Sequence, residues 1–152
     1  MHQLKYSQKL PINLDEAWEF FSTPSNLSKI TPASLNFVIT SQALEGKMYP
    51  GQIISYTVEP FLGIPLEWIT EITHVQPKNY FVDEQRKGPY KMWHHEHHFK
   101  ETSEGHVEIT DLVSYVLPFG PLGEIAQKLF VKKQLEEIFT YRTKVLETYF
   151  EH

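Results

Sequence analysis

The sequence contains no cysteine, which excludes disulfides, thiolate metal sites, iron–sulfur clusters and cysteine nucleophiles. No stretch reaches the ~18 uninterrupted apolar residues of a membrane-spanning helix, and the first ten residues lack the apolar run of a secretion signal. Positive charge is also scarce, because the 152 residues carry a formal net charge of −5. Nucleic acids and anionic membranes require a concentrated positive field. We therefore expect a cytoplasmic protein with no nucleic-acid partner and no integral membrane segment.

Three motifs of cofactor and nucleophile chemistry are missing as well: the phosphate-cradling glycine loop, the dinucleotide fingerprint and the nucleophile elbow. Their absence argues against most cofactor-dependent enzymes, and we predict no cofactor. Hydrophobic residues make up 41% of the chain and aromatic residues 14%, which is enough for a core and favours a β-rich fold. The length fits a single domain over residues 1–152.

The order of elements follows from the change in hydrophobic period along the chain. Residues 3–10 predict a strand. Two short helices follow, one over 14–21 capped by Asn13 or Asp15 and one from Ser25 to Ile30 capped by Ser25 or Asn26. Six further strands are predicted at 35–40, 52–59, 66–75, 80–85, 91–100 and 107–117. A helical period then extends over 122–150.

Six consecutive strands joined by short turns form an antiparallel meander. The predicted class is therefore α+β, with a curved seven-stranded antiparallel sheet wrapped around a long C-terminal helix and two short helices between strands 1 and 2. A sheet closed by a helix on one side commonly leaves a space between them in which small ligands bind.

The strongest local signal is the segment Trp93-His94-His95-Glu96-His97-His98-Phe99. Alternate side chains of a strand share a face, so His95 and His97 point inward together with Trp93 and Phe99. His94 and His98 then belong to a solvated outer face.

The next strand carries Asp111 among apolar residues on its inward face. If the turn is flanked by Glu101 and Val107, His97 lies opposite Asp111 and Trp93 lies opposite Tyr115. Every inward residue then meets an inward residue, and a one-residue slip would turn a whole face the wrong way.

A buried Asp beside a buried His has three interpretations. It is a satisfied structural pair, a polar group that orients a ligand in an apolar cavity, or a chemical site with His97 and Asp111 as acid–base candidates. A metal would need a third ligand from another part of the chain, so we predict no metal site.

Other candidates share the predicted interior. Asp83 and Gln85 lie on the same strand face as Phe81, so they either point into the same space or face solvent. Trp18, Tyr56 and Trp68 are interpreted as core residues. Arg142 lies near the buried side of the long helix, where it could pair with Asp111 or with a ligand carboxylate, or extend its charge to solvent.

With these features the chain resembles the START/Bet v 1-like (SRPBCC, helix-grip) superfamily, and within it a group of small, stand-alone bacterial ligand-binding domains. The resemblance covers essentially the whole chain. It rests on the opening segment Pro11 to Leu27, on Phe81 to Gln85 with Gly88-Pro89-Tyr90, on Trp93-x-His95-x-His97-x-Phe99, and on Asp111 to Tyr115 followed by Pro118-Phe119-Gly120.

The resemblance implies a sheet that grips a long helix around an apolar cavity, and binding of a lipid-like or polyketide-like molecule. The predicted ligand-binding residues are Asp83, Gln85, Trp93, His95, His97, Phe99, Asp111 and Tyr115.

The first hypothesis for function is therefore a binding protein, in which His95, His97 and Asp111 fix the polar end of a hydrophobic molecule. The second is a polyketide cyclase/dehydratase-like or hydrolase-like enzyme that uses His97 and Asp111. The third is a co-chaperone-like protein that uses the outer face of the sheet or the loop from Pro60 to Pro65 as an apolar contact. We rank them in this order.

Overall fold

The structure is a computed structural model that describes residues 1–42 and 44–151. It contains one seven-stranded sheet. The strands are β1 His2–Leu10, β2 Val38–Ile39, β3 Gln52–Phe61, β4 Ile64–Gln76, β5 Tyr80–Lys87, β6 Met92–Glu101 and β7 Val107–Val116. All neighbouring strands pair antiparallel, in the order β1-β7-β6-β5-β4-β3-β2. The predicted α+β architecture is confirmed.

The register of β6 and β7 is the predicted one. His97 pairs with Asp111, His95 with Val113 and Trp93 with Tyr115. On the other side of β6, Asp83 of β5 pairs with His95. Three neighbouring strands thus bring polar side chains to one place on the sheet.

Helix α1, Leu14–Phe21, begins where the chain leaves β1. Asn13 is its N-cap, and its side-chain Oδ1 accepts a hydrogen bond from the backbone N–H of Glu16 at 2.8 Å. The second helix is a 3-10 helix over Pro24–Ile30, so the predicted start at Ser25 and its cap were wrong. Proline at the first position needs no N–H there, and the Asn26 side chain instead donates to the carbonyl of Phe20.

The predicted strand over 35–40 is mostly absent. Residues Ala33–Leu35 form a short 3-10 helix that ends at Asn36, whose φ of 44° lies in the left-handed region. Only Val38 and Ile39 pair with β3. The period-two pattern failed here because Asn tolerates this conformation and turns the chain before a longer edge strand can form.

The C-terminal helix is not uniform. It consists of α2 Pro121–Ala126, a π-helical turn over Gln127–Val131, and α3 Lys132–Tyr149. The sequence predicted a continuous α-helix over 122–150. The structure differs in that a wider, π-helical turn separates two α-helical segments. Gln127, within the turn, is buried and accepts a hydrogen bond from the hydroxyl of Tyr115 at 2.9 Å.

Two apolar clusters flank the space between sheet and helix. One cluster centres on Trp18 of α1, whose ring contacts Phe81 and Phe99 of the sheet. The other joins Trp68 and Trp93 of the sheet to residues of the C-terminal helix, namely Val131, Leu135 and Phe139. No helix within residues 1–42 and 44–151 combines the length and apolar character needed to cross a bilayer.

Candidate ligand-binding cavity

A cavity of about 220 Å³ lies between the inner face of the sheet and the C-terminal helix. Most of its wall is apolar. Sheet residues such as Ile54 and Trp68 form one side, and Leu135, Ile138 and Phe139 of α3 form the other. The strand period of two and the helical period of 3.6 turn these apolar faces toward each other.

The polar part of the wall includes a cluster of two histidines and two aspartates, which we call the inner cluster: Asp83, His95, His97 and Asp111. His95 Nε2 donates to Asp111 Oδ1 at 2.7 Å, and His97 Nε2 donates to Asp83 Oδ2 at 2.6 Å. The second nitrogen of each ring faces the other carboxylate, at 3.3 Å for His97 and Asp111 and at 3.7 Å for His95 and Asp83. Each aspartate therefore lies close to one nitrogen of His95 and to one nitrogen of His97.

The two imidazole rings are stacked, with their centroids 3.7 Å apart. His97 is also stacked on Phe81, at 4.0 Å. This packing fixes the ring planes, so the carboxylates hold the rings at both edges while aromatic contacts hold their faces.

Arg142 of α3 completes the charge balance of the inner cluster. Its Nη1 lies 3.7 Å from Asp111 Oδ1, and its side chain is only 12% exposed. The guanidinium also packs on the ring of Phe139, at 4.9 Å. Of the outcomes expected for Arg142, the structure shows the contact with Asp111. Its Nε is buried without a hydrogen-bond partner.

Burial and charge act against each other on the two carboxyls. Burial alone raises the pKa of Asp111, but hydrogen bonds from both histidines and the nearby charges hold that pKa well below its usual value. The pKa of Asp83 is lowered for the same reason: burial is outweighed by the charge of His95 and by the hydrogen bond from His97. Both side chains are carboxylates at neutral pH.

The two histidines differ. Burial lowers the pKa of His97, but its hydrogen bonds to Asp111 and Asp83 outweigh burial, and the net shift is upward. For His95, burial and the neighbouring His97 lower the pKa, and the two aspartates do not compensate. His97 therefore holds a proton more readily than an ordinary histidine, and His95 holds one less readily. The two carboxylates face the guanidinium of Arg142 and two imidazoles whose pKa values shift in opposite directions.

The structure places the predicted ligand-binding residues in two groups. Those that line the cavity are Asp83, Trp93, His95, His97 and Asp111. Those that do not are Gln85, Phe99 and Tyr115.

The three residues outside the cavity have other contacts. The side-chain amide of Gln85 makes two hydrogen bonds with the backbone of Tyr90: its Nε2 donates to the carbonyl, and its Oε1 accepts from the N–H. The hydroxyl of Tyr115 is occupied by Gln127, and Phe99 packs against α1.

Sequence reasoning missed part of the lining. Tyr56 and Trp68 were interpreted as core residues, yet both line the cavity. Residues of the 3-10 helix such as Leu27 and Ile30 also contribute to it. Their apolar character gave no signal, because a cavity wall and a solid core have the same residue types. The clue to a cavity wall in the sequence was that the apolar face of the helix lies opposite the inward face of the sheet.

The outer face of β6 carries separate polar groups, as predicted. His94 Nδ1 lies 2.7 Å from Glu84 Oε1, and His98 Nε2 lies 3.1 Å from Glu96 Oε1. None of these four residues lines the cavity. We call them the outer cluster.

Comparison with known proteins identifies the fold. No protein-family model matches the chain, and no curated protein matches it. Solved structures do match it over nearly the full length. One is a protein from Chromobacterium violaceum, with 10% identity, a TM-score of 0.73 and coverage of 99% of this chain and 97% of that one.

A protein from Thermus thermophilus is similar as well, with 13% identity, a TM-score of 0.72 and coverage of 97% and 95%. So is the ginseng major latex-like protein 151 from Panax ginseng, with 14% identity, a TM-score of 0.69 and coverage of 99% and 98%. The protein has the START/Bet v 1-like fold. At such low identity the likeness concerns the fold alone.

Proposed function

We propose that this START/Bet v 1-like protein binds a hydrophobic small molecule, lipid-like or polyketide-like, in the cavity between its sheet and C-terminal helix. His95, His97 and Asp111 of the inner cluster fix the polar end of that molecule. The observation that carries the proposal is a mostly apolar cavity whose wall contains a compact cluster of two histidines and two aspartates. Binding sites for small molecules combine an apolar wall with a few convergent polar groups in this way.

The volume limits the size of the ligand. Apolar cavities of about 150 Å³ bind benzene, and pockets for drug-sized molecules begin at about 300 Å³. A cavity of about 220 Å³ therefore fits an aromatic ring system or a short acyl chain better than a complete phospholipid. Contacts with apolar side chains supply most of the affinity, at roughly 25 cal/mol per Å² before the costs of association.

Charge limits the polar end. The carboxylates of Asp83 and Asp111 already contact His97 and Arg142. A further charge placed beside this buried cluster would find those partners occupied, and desolvating it is costly. A hydroxyl or carbonyl group is favoured over a carboxylate or an amine.

The test uses two neighbouring isoleucines of β3 that point to opposite faces. Ile54 is buried and lines the cavity, whereas Ile53 is 51% exposed. Binding of the neutral fluorophore N-phenyl-1-naphthylamine is measured by its fluorescence, in the presence of EDTA. We expect Ile54→Phe to fill part of the cavity and weaken binding at least tenfold, and Ile53→Phe to leave it unchanged.

Equal binding by both variants, or none by the wild type, would contradict the proposal. Mass spectrometry of organic extracts from the purified protein provides a second measurement, and recovery of a hydrophobic molecule from the wild type but not from Ile54→Phe supports the same conclusion. The enzymatic and co-chaperone-like functions remain predictions, because no observation favours either of them.

A further inference from the structure

We propose that Asp83, His95 and His97 form a binding site for a divalent transition-metal ion of the zinc class. One potential ligand atom from each of these residues lies within 4.8 Å of the others. The two histidines stand at alternate positions of β6, and Asp83 is the direct cross-strand neighbour of His95 on β5. The sequence alone offered a His-x-His pair without a third ligand, and the pairing of β5 with β6 supplies it.

The distances suit a tetrahedral ion. With metal–ligand bonds of about 2.0–2.2 Å, neighbouring ligand atoms lie about 3.3 Å apart. Asp83 Oδ2 is 2.6 Å from His97 Nε2 and 3.7 Å from His95 Nδ1. These two values bracket the tetrahedral edge, and all three ligand atoms lie within 4.8 Å of one another. Rotation of the side chains would complete the approach of the three atoms to one ion. The ion takes the place of the proton shared by His97 and Asp83, and that proton leaves to solvent.

Asp111 orients both rings from their opposite edge. Its Oδ1 lies 2.7 Å from His95 Nε2 and 3.3 Å from His97 Nδ1, the nitrogens that do not face Asp83. The short bond assigns the proton of His95 to Nε2 and leaves the lone pair on Nδ1, toward Asp83. Metal-binding histidines commonly donate their other N–H to a carboxylate, which fixes the ring and raises its basicity.

Arg142 contacts Asp111, the carboxylate that orients both rings, and does not contact Asp83. Its charge therefore compensates the Asp111 carboxylate and leaves the Asp83 carboxylate to compensate the ion. All three proposed ligands line the cavity, so the remaining coordination position is open to a bound molecule or to water, as in catalytic rather than structural zinc sites.

The donor set selects the class of ion. Two imidazoles and one carboxylate suit Zn²⁺ and its neighbours in the transition series. Ca²⁺ and Mg²⁺ require mostly oxygen ligands, in greater number. The proposal does not depend on the binding of a hydrophobic molecule, because the three ligands meet without one.

The experiment is titration of metal-free protein without a histidine tag, using Zn²⁺ in a calorimeter and Co²⁺ by visible absorption. We expect one ion per chain and an intense Co²⁺ spectrum typical of tetrahedral coordination. His97→Gln, His95→Gln and Asp83→Asn should each weaken binding about 100-fold or more. Asp111→Asn should weaken it about 10- to 100-fold, as observed for residues that orient metal ligands.

The outer cluster provides the matched control, because it offers two histidines and two glutamates on the same strands but on the other face. The double variant His94→Gln/His98→Gln should retain the Co²⁺ spectrum and the Zn²⁺ affinity. Circular dichroism of each variant confirms that it is folded, and the near-isosteric Asn and Gln substitutions are chosen to keep it so.

Two results would overturn the proposal. One is wild-type protein that binds neither ion. The other is binding that survives in the folded inner variants and is lost in the outer double variant. Because the fluorophore assay described above is performed in EDTA, loss of the metal site and loss of hydrophobic binding are separate outcomes.

Discussion

Replacement of Asp111 by asparagine tests whether the inner cluster is held together by charge. Asp111 is the carboxylate on which both histidines and Arg142 converge, and its side chain is only 13% exposed. Asparagine keeps the shape and the acceptor oxygen for His95 but removes the negative charge. Arg142 then keeps its charge in the interior without the carboxylate that it contacts.

The magnitude follows from the contact with Arg142. Two unit charges about 4 Å apart interact by about 4 kcal/mol at an effective dielectric constant near 20. Removing one partner of a buried pair costs about 3–5 kcal/mol in measured cases. Because asparagine retains one hydrogen bond, we expect Asp111→Asn to lower the free energy of unfolding by about 3 kcal/mol. For a chain of this size that corresponds to a fall in Tm of about 6–12 °C.

The assay is urea denaturation followed by far-UV circular dichroism, in EDTA, for four proteins: wild type, Asp111→Asn, Arg142→Met and the double variant. The double variant removes the ion pair as a unit and leaves no extra cation. We expect its loss of stability to be smaller than the sum of the two single losses by about 0.5–3 kcal/mol, the range measured for residues in direct contact.

A loss below about 1 kcal/mol for Asp111→Asn would contradict this reasoning. Strict additivity in the double variant would do so as well, because it would show that Asp111 and Arg142 do not stabilise each other despite their 3.7 Å separation.

Three further predictions concern the scaffold around the cavity. Asn13→Ala removes the side-chain cap of α1 and should cost about 1 kcal/mol in thermal or urea unfolding; an unchanged midpoint would refute the cap. Gln85→Ala should cost about 1–3 kcal/mol, since it leaves the N–H and carbonyl of Tyr90 without their partner, while fluorophore affinity stays constant; a matching loss of affinity would instead support the sequence prediction of a ligand contact. Gly123→Ala should lower Tm although alanine favours helices, because its Cβ would lie 2.2 Å from the carbonyl oxygen of Pro118; a raised Tm would contradict the clash.

The sequence by itself determined the architecture and one strand register. The period of two over β3 to β7 and the helical period that follows define a meander and a long helix, because side-chain direction repeats with backbone geometry. The pairing of His97 with Asp111 followed from a turn flanked by Glu101 and Val107, and the parity of the inward residues agreed with it. The sequence did not show the left-handed Asn36 that shortens β2, or the π-helical turn at Gln127, since both depend on local backbone choices that hydrophobic pattern does not record.

Only the tertiary structure decided which inward polar groups meet. Asp83 is joined to His95 and His97 by the pairing of β5 with β6, and the strand pattern could not tell an inward Asp83 from a solvent-facing one. The tertiary structure also distinguished Asp83 from Gln85, which lie on the same strand face. Asp83 lines the cavity, whereas the side chain of Gln85 is hydrogen-bonded to the backbone of Tyr90. The physical reason is that alternation assigns a side chain to a face, whereas its partners depend on diagonal contacts and turn geometry across strands.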